Sequence, residues 1–364
     1  MLLMDIMELG VHKMNQRKYY IDNLRILCIL LLFPFHTTMI YNSFGEVFYV
    51  TGTPDKWLTL VNVVVYPWWM TGLFVMAGMS TMYAFGHRTI RQYIKERIRK
   101  LLIPLISCLI FVVPMQTYIA DRFHNRYEGN YFQHIKEFLI LTDWGGYDGH
   151  FTPGHTWFVL YLFIISMVTL PLLIWYRKKE EKHSVSMPTL LLMGIVPVCL
   201  GNVLNVGGKS FAQYGAYFLI GYFVMSDETV IERLRKNSIR LGIGWILIIA
   251  LRCLSYATNF NHGILDQIVY CLLEWIGILA MLGLGSRFLN HNWKFTKHFV
   301  KAEFPLYLFH QTIIIMVGYW IMPYIESVYV EYVLIIGISF ILSYLLYEIC
   351  RRFRVTRFLF AIKK

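Results

Sequence analysis

The sequence predicts an all-α, polytopic integral membrane protein with about ten transmembrane helices and both termini cytoplasmic. Composition is the first reason: 57% of the 364 residues are hydrophobic and only 15% are charged, more apolar surface than a soluble domain of this length can hide. Segmentation is the second. Ten apolar runs can be drawn, at 20–41, 58–86, 98–119, 155–176, 187–204, 211–226, 238–257, 264–285, 303–323 and 330–350, most of them near the roughly 20 residues that cross a bilayer. The third is the placement of positive charge. With the N-terminus inside, the inner segments hold 27 of the 34 Lys and Arg, while the outer connections hold 5, namely Lys56, Arg122, Arg126, Lys136 and Lys209. This positive-inside pattern accounts for the net charge of +12 without a nucleic-acid partner.

In chain order, residues 1–18 are expected as a cytoplasmic segment whose Lys13, Arg17 and Lys18 precede a retained signal-anchor helix. Residues 19–350 form a single transmembrane domain. Its second run is long enough to tilt, and its sixth is short enough to be re-entrant. The one long outer connection, 120–154, is polar, aromatic and glycine-rich, as loops with a task often are. Residues 351–364 are expected as a basic cytoplasmic tail. The six cysteines lie in or beside apolar runs without a CxxC pair and read as small buried hydrophobes.

The polar residues inside the apolar runs are the candidates for chemistry, because hydrocarbon disfavours them. An arginine at the centre of a span costs about 2.5–3.5 kcal/mol. In the first span, Arg25 and His36 are eleven residues apart, three helical turns plus about 20°, so they share a face about 16 Å apart along the axis. Pro34 bends the helix just before His36, and Asp22 is placed to pair with Arg25 at i,i+3. The fourth run opens with "GHTWFVLYLF", carrying His155 and Trp157 at the outer face, near Asp148 and His150. No spacing resembles a metal site, and none is expected. On the inner side, "RTIRQYIKERIRKLLIP" supplies Arg97, Arg99 and Lys100 where the third span begins; these suit anionic lipid heads or the phosphates of a ligand. The ninth run carries Glu303 and His310, and Glu274, Glu348 and Arg252 are further charges that need partners. No GxSxG, P-loop or HExxH motif is present, which leaves serine, nucleotide and zinc hydrolysis without support.

"YYIDNLRILCILLLFPFHTTMIY", "RIRKLLIP", "GHTWFVLYLF" and "FPLYLFHQ", in that order, resemble the acyltransferase family 3 membrane enzymes. These carry an Arg, ten residues, then a His in the first span, a basic turn and proline opening the third, a His-x-Trp-Phe segment and an aromatic-Leu-His end motif. Within the family, the first span looks most like that of the periplasmic glucan succinyltransferase branch. Two departures stand out: Ile26 follows Arg25 where the family commonly has Gly, and the chain ends soon after the tenth run, unlike the members fused to a soluble esterase-like domain.

The resemblance implies transfer of an acetyl, succinyl or similar acyl group from cytoplasmic acyl-coenzyme A, used as co-substrate with no permanently bound cofactor, to a hydroxyl of an extracytoplasmic glycan or other envelope carbohydrate. On that reading His36 is the catalytic residue, as general base or as acyl-carrying nucleophile. Arg25, with Arg97, Arg99 or Lys100, holds the donor phosphates. Asp22, His155, Trp157 and His310 support the site or meet the acceptor, with Trp144 and Tyr147 as stacking surfaces for sugar. The competing readings are a transporter or flippase of a glycan or lipid-linked precursor, and a scaffold with a basic inner surface.

Overall fold

Each apolar run forms helix, as it must where no water satisfies the backbone. The computed structural model describes residues 17–142, 144–177, 185–258 and 263–363; the first sixteen residues of the expected N-terminal segment lie outside them. The helices are α1 (Tyr19–Ile40), α2 (Lys56–Phe85), α3 (Ile90–His124), α4 (Tyr131–Phe138), α5 (Gly154–Val168), α6 (Leu170–Tyr176), α7 (Met187–Cys199) and α8 (Phe211–Met225). They continue as α9 (Glu228–Lys236), α10 (Ser238–Ala257), α11 (Ile264–Phe288), α12 (Lys294–Tyr324), α13 (Val328–Cys350) and α14 (Arg354–Leu359). The protein is a polytopic all-α membrane protein.

Among the described residues seven helices are long and apolar enough to cross a membrane, or eight if the pair α5–α6, bent by 48°, is one span. The runs at 187–204 and 211–226 appear as the shorter helices α7 and α8. Gly194 and Pro197 interrupt the first of these, and a hairpin separates the two. Its strands, β1 (Asn205–Val206) and β2 (Lys209–Ser210), are joined by Gly207 and Gly208, both at positive φ, the backbone a two-residue hairpin turn requires. Between α5, α7 and α8 lies a laterally open apolar groove of about 700 Å³, lined by residues such as Ile165, Val196, Leu200 and Phe211. None of the span histidines faces it.

Burial sorts the helices into centre and rim. In α2, 72% of the most apolar window is buried, against 17% in α10 and 28% in α13, so α10 and α13 present their apolar faces to lipid while α1, α2, α11 and α12 form the centre. Small residues let the central backbones approach. A Cβ on Gly78 of α2 would stand 2.0 Å from the Phe218 carbonyl oxygen of α8, and one on Gly221 of α8 2.1 Å from that of Val75. Neither contact leaves room for a side chain.

The N-terminal end of α1 is pinned to the start of α12. Asn23 donates through Nδ2 to the carbonyls of Leu289 (2.6 Å) and His291 (3.0 Å) and bonds Thr296 through Oδ1. The two helices therefore run parallel from a common end. Half-way along, α1 breaks at Leu31, where Pro34 lacks the N–H that would reach back to residue 30. The Trp69 indole of α2 takes up the Cys28 carbonyl at 2.9 Å, and the Tyr332 hydroxyl the Pro34 carbonyl at 3.2 Å, so the bend is supported from both sides.

Gly78→Ala should lower thermal stability in detergent by about 1–3 kcal/mol through overpacking, whereas Gly337→Ala, with nothing within 4 Å, should leave the melting temperature unchanged.

Candidate active site

Because α1 and α12 run parallel, polar residues at matching depths meet across one seam. At the end where both helices begin, Arg25 Nη2 bonds Asp22 Oδ1 at 2.7 Å and Glu303 Oε1 at 3.1 Å. Both carboxylates engage the same nitrogen, and Asp22 also pairs with Arg17 at 2.7 Å. The guanidinium is thereby held while its remaining edge keeps its donors: Nε is buried without a partner, as is Glu303 Oε2. The i,i+3 pairing expected of Asp22 and Arg25 is present.

Toward the opposite end three histidines from three spans converge. The ring of His310 lies 5.0 Å from that of His36 and 5.1 Å from that of His155. Their hydrogen bonds define what each can do. His155 donates from Nε2 to the Leu308 carbonyl at 2.9 Å and, as a neutral ring, accepts at Nδ1 from Gln116 Nε2 at 3.0 Å. Gln116 donates its second hydrogen to Thr312 Oγ1 (2.7 Å) and accepts from Gln311 Nε2 (3.0 Å), while Thr312 donates to the Val112 carbonyl (3.2 Å). The Tyr307 hydroxyl donates to the His155 carbonyl at 2.6 Å. Every nitrogen of His155 is spent, so its work is to hold the group together.

His310 differs. Its Nδ1 donates to the Tyr307 carbonyl at 2.6 Å, and its Nε2 is buried with no partner. A carbonyl only accepts, so in the neutral ring Nε2 carries a free lone pair. His36 likewise has a buried, unpartnered Nδ1 and is otherwise half-exposed. Phe48, from the connection after α1, stacks over it at 6.3 Å, and Phe35 meets its edge at 5.1 Å. Two adjoining imidazoles with unused nitrogens, beside a polar network with all its bonds made, are equipped to move a proton or hold an acyl group. Among the described residues no cluster of three or more His, Cys, Asp or Glu is arranged to hold a metal ion.

The other expected residues divide. Trp157, two positions after His155, does not join the histidines. It is half-buried, with Lys209 of β2 over its ring at 5.0 Å and Tyr214 and Tyr161 at 5.3 and 5.5 Å. Arg97 is engaged elsewhere, donating to Thr81 Oγ1 at 2.6 Å and lying over the Tyr93 ring at 4.8 Å. Arg99 is exposed, and among the described residues no ion pair joins it to the Arg25 cluster. Lys100 pairs with Glu96, which also binds Arg88 at 2.7 Å. The turn 98–102 that carries Arg99 and Lys100 is a π-helical bulge, a distortion frequent at functional sites. Tyr147 packs against Tyr49 at 5.0 Å and Phe48 at 6.5 Å, so its ring belongs to the aromatic cap over His36 rather than to a free stacking surface.

Comparison with known proteins decides the class. The acyltransferase-domain family model, Acyl_transf_3, matches residues 18–348. The chain belongs to the acyltransferase family 3. It is accordingly a membrane acyltransferase transferring groups other than aminoacyl groups, which sets aside the transporter and scaffold readings. It is similar to proteins named "Glucans biosynthesis protein C" in Salmonella heidelberg (strain SL476) and Salmonella agona (strain SL483), 24% identical over 386 residues covering 95% of this chain and 95% of theirs. No solved structure matches. Within this acyltransferase, Gln116, Gln311 and Thr312 are the residues sequence reasoning missed. The polar run "HQT" at 310–312 in an otherwise apolar helix was a signal for two of them; an isolated Gln116 gave none.

The long connection between α3 and α5 folds over the histidine end. Helix α4, opened by an Asn130–Gln133 capping box, buries His134 beside Asp121 (3.3 Å) and Thr117 (3.1 Å). Burial lowers the His134 pKa below its ordinary 6.5 despite opposition from Asp121 and Glu137, with His150 adding to the lowering. Further on, Gly154 takes a positive φ of 50° and brings its Cα side to within 3.1 Å of Gln116 Oε1 for any added Cβ, so the residue before His155 fits as glycine.

Gln116→Leu should strand the partners of Gln116 and cost about 1–3 kcal/mol, read as a lower melting temperature together with reduced transfer. A histidine whose pKa is depressed by folding contributes stability above its unfolded value, and loses it as pH falls through about 6.5 toward the folded value. Hydrogen exchange of residues 131–138, corrected for intrinsic rates, should therefore accelerate between pH 7.5 and pH 5, and His134→Gln should flatten that dependence.

Proposed function

We propose that the protein transfers an acetyl or succinyl group from cytoplasmic acyl-coenzyme A to a hydroxyl of an extracytoplasmic glycan at the cell membrane, with both chain termini cytoplasmic. The observation that carries this reading is the seam between α1 and α12: a fixed guanidinium at one end, and two imidazoles with unused nitrogens at the other. Eleven residues of helix place these ends about 16 Å apart, comparable to an extended pantetheine arm. The donor's phosphates would sit at Arg25 and its thioester at His36. The glycan acceptor is supported by the printed name of the Salmonella relatives, "Glucans biosynthesis protein C", and by the aromatic outer basin of Trp157, Tyr161 and Tyr214 beside Lys209.

In the proposed step His36 takes the proton of the acceptor hydroxyl, whose oxygen attacks the thioester carbonyl. The carbon–sulfur bond breaks, and the proton passes from the imidazole to the leaving thiolate. His310 orients His36 and offers a second lone pair for the proton. His155, with both nitrogens bonded, positions His310. A variant in which His36 itself carries the acyl group uses the same open nitrogen, and would show as a labelled enzyme intermediate after acid quench.

The test has two arms. In proteoliposomes supplied with labelled acyl-coenzyme A, His36→Ala should reduce transfer at least about 100-fold, the contribution typical of a general base, while the protein still inserts and melts as the parent does. Full activity in that variant would remove His36 from the chemistry. Mass spectrometry of envelope glycans with and without the protein should differ by an acetyl or succinyl mass; identical spectra would remove the glycan acceptor.

A further inference from the structure

Residues 351–363, "RRFRVTRFLFAIK", do not trail away from the bundle. After α13 the chain turns, forms α14 and packs it against residues 103–111 of α3. Phe360 is buried with its ring 5.0 Å from that of Phe309, the immediate neighbour of His310 on α12. Ala361 then takes a positive φ of 49°, and the Ile362 amide bonds the Arg357 carbonyl at 2.9 Å. This reverses the chain and buries Ile362. A left-handed alanine costs about 1 kcal/mol or more, so the hook is held by its anchors, Phe360 and Ile362, rather than by local preference.

What the hook delivers is Lys363. Its ammonium stands within electrostatic reach of Lys100, Glu303, Arg25 and Asp22. Among the described residues it makes no ion pair. The ion pairs of these neighbours leave cations in excess: Arg25 shares Asp22 with Arg17 and also meets Glu303, while Lys100 shares Glu96 with Arg88. Lys363 itself is exposed, and this excess of positive charge, beside a buried Arg25 Nε with no partner, suits an anion of more than one charge.

We infer that residues 354–363 form a wall of the donor's phosphate site, with Lys363 supplying one of its cations beside Arg25 and Lys100. This rests on the acyl-coenzyme A reading above, and names a part of that site contributed by a segment outside the ten runs. The ligand class is a nucleotide bearing several phosphates, the non-reacting end of the donor. Held there, it would direct its thioester arm along the α1–α12 seam toward His36.

The experiment is binding of coenzyme A, and separately of adenosine 3′,5′-bisphosphate, to the full-length protein in detergent by calorimetry, with donor KM and kcat measured in proteoliposomes. Lys363→Gln should raise the Kd for both probes and the donor KM about threefold to tenfold, with kcat and melting temperature unchanged. Lys363→Arg should restore the parent values. Phe360→Ala, which releases the hook, should weaken both probes as Lys363→Gln does. Parent-like affinity in Lys363→Gln, with coenzyme A binding intact in the parent, would overturn the role of the hook alone. Absence of coenzyme A binding in the parent would overturn the donor reading and the hook with it.

Discussion

The parallel contact of α1 with α12 is the constraint on which the rest of the structure depends. Membrane interiors offer little drive for apolar helices to choose one another, so specificity must come from close backbone approach and from polar groups with nowhere else to go. Here α1 carries a guanidinium and an imidazole, and α12 carries a carboxylate and an imidazole at matching depths. Asn23 fixes the register where both helices begin, through Leu289, His291 and Thr296. A one-turn slip would bury Arg25 away from Glu303 and part His36 from His310. The same interactions that choose the partner thus assemble the site.

Around that seam the other elements have distinct duties. α3 contributes Gln116, whose side chain ties α3, α5 and α12 together. α2 supports the break in α1 through Trp69, and its glycine contact with α8 sets the depth at which the short helices stand. The connection after α1 and the long outer connection close over His36 with Phe48, Tyr49 and Tyr147. α10 and α13 carry no part of the histidine cluster, and their apolar faces meet lipid.

Much of this was legible in the sequence, for a physical reason. Hydrocarbon penalises polar residues so heavily that each one in an apolar run marks a contact or a site, and the helical period then states which of them share a face. Arg25, Asp22, His36, His155, Glu303 and His310 were all visible in that way. The convergence of His36, His155 and His310 was not, because it joins residues more than a hundred positions apart through helix packing that no local pattern records. The two short helices were less legible too, since hydropathy does not see the interruption at Gly194 and Pro197 or the Gly207–Gly208 turn. The hook at residues 354–363 read as a basic tail because its charges outnumber its two anchors. Arg97 and Trp157 stand out in the sequence as a charged and an aromatic residue at the ends of apolar runs, but their partners, Thr81 and Lys209, come from other elements.

The central claim is that His36 and His310 act as one unit, which a double-mutant cycle on transfer tests most directly. The rate of acyl transfer from saturating labelled acyl-coenzyme A would be measured for the parent, His36→Ala, His310→Ala and the double variant. Residues that act as a unit are strongly non-additive, so the double variant should be no slower than His36→Ala within about twofold. Independent losses that multiply in the double variant, or a His310→Ala protein with parent-like rate, would contradict the account.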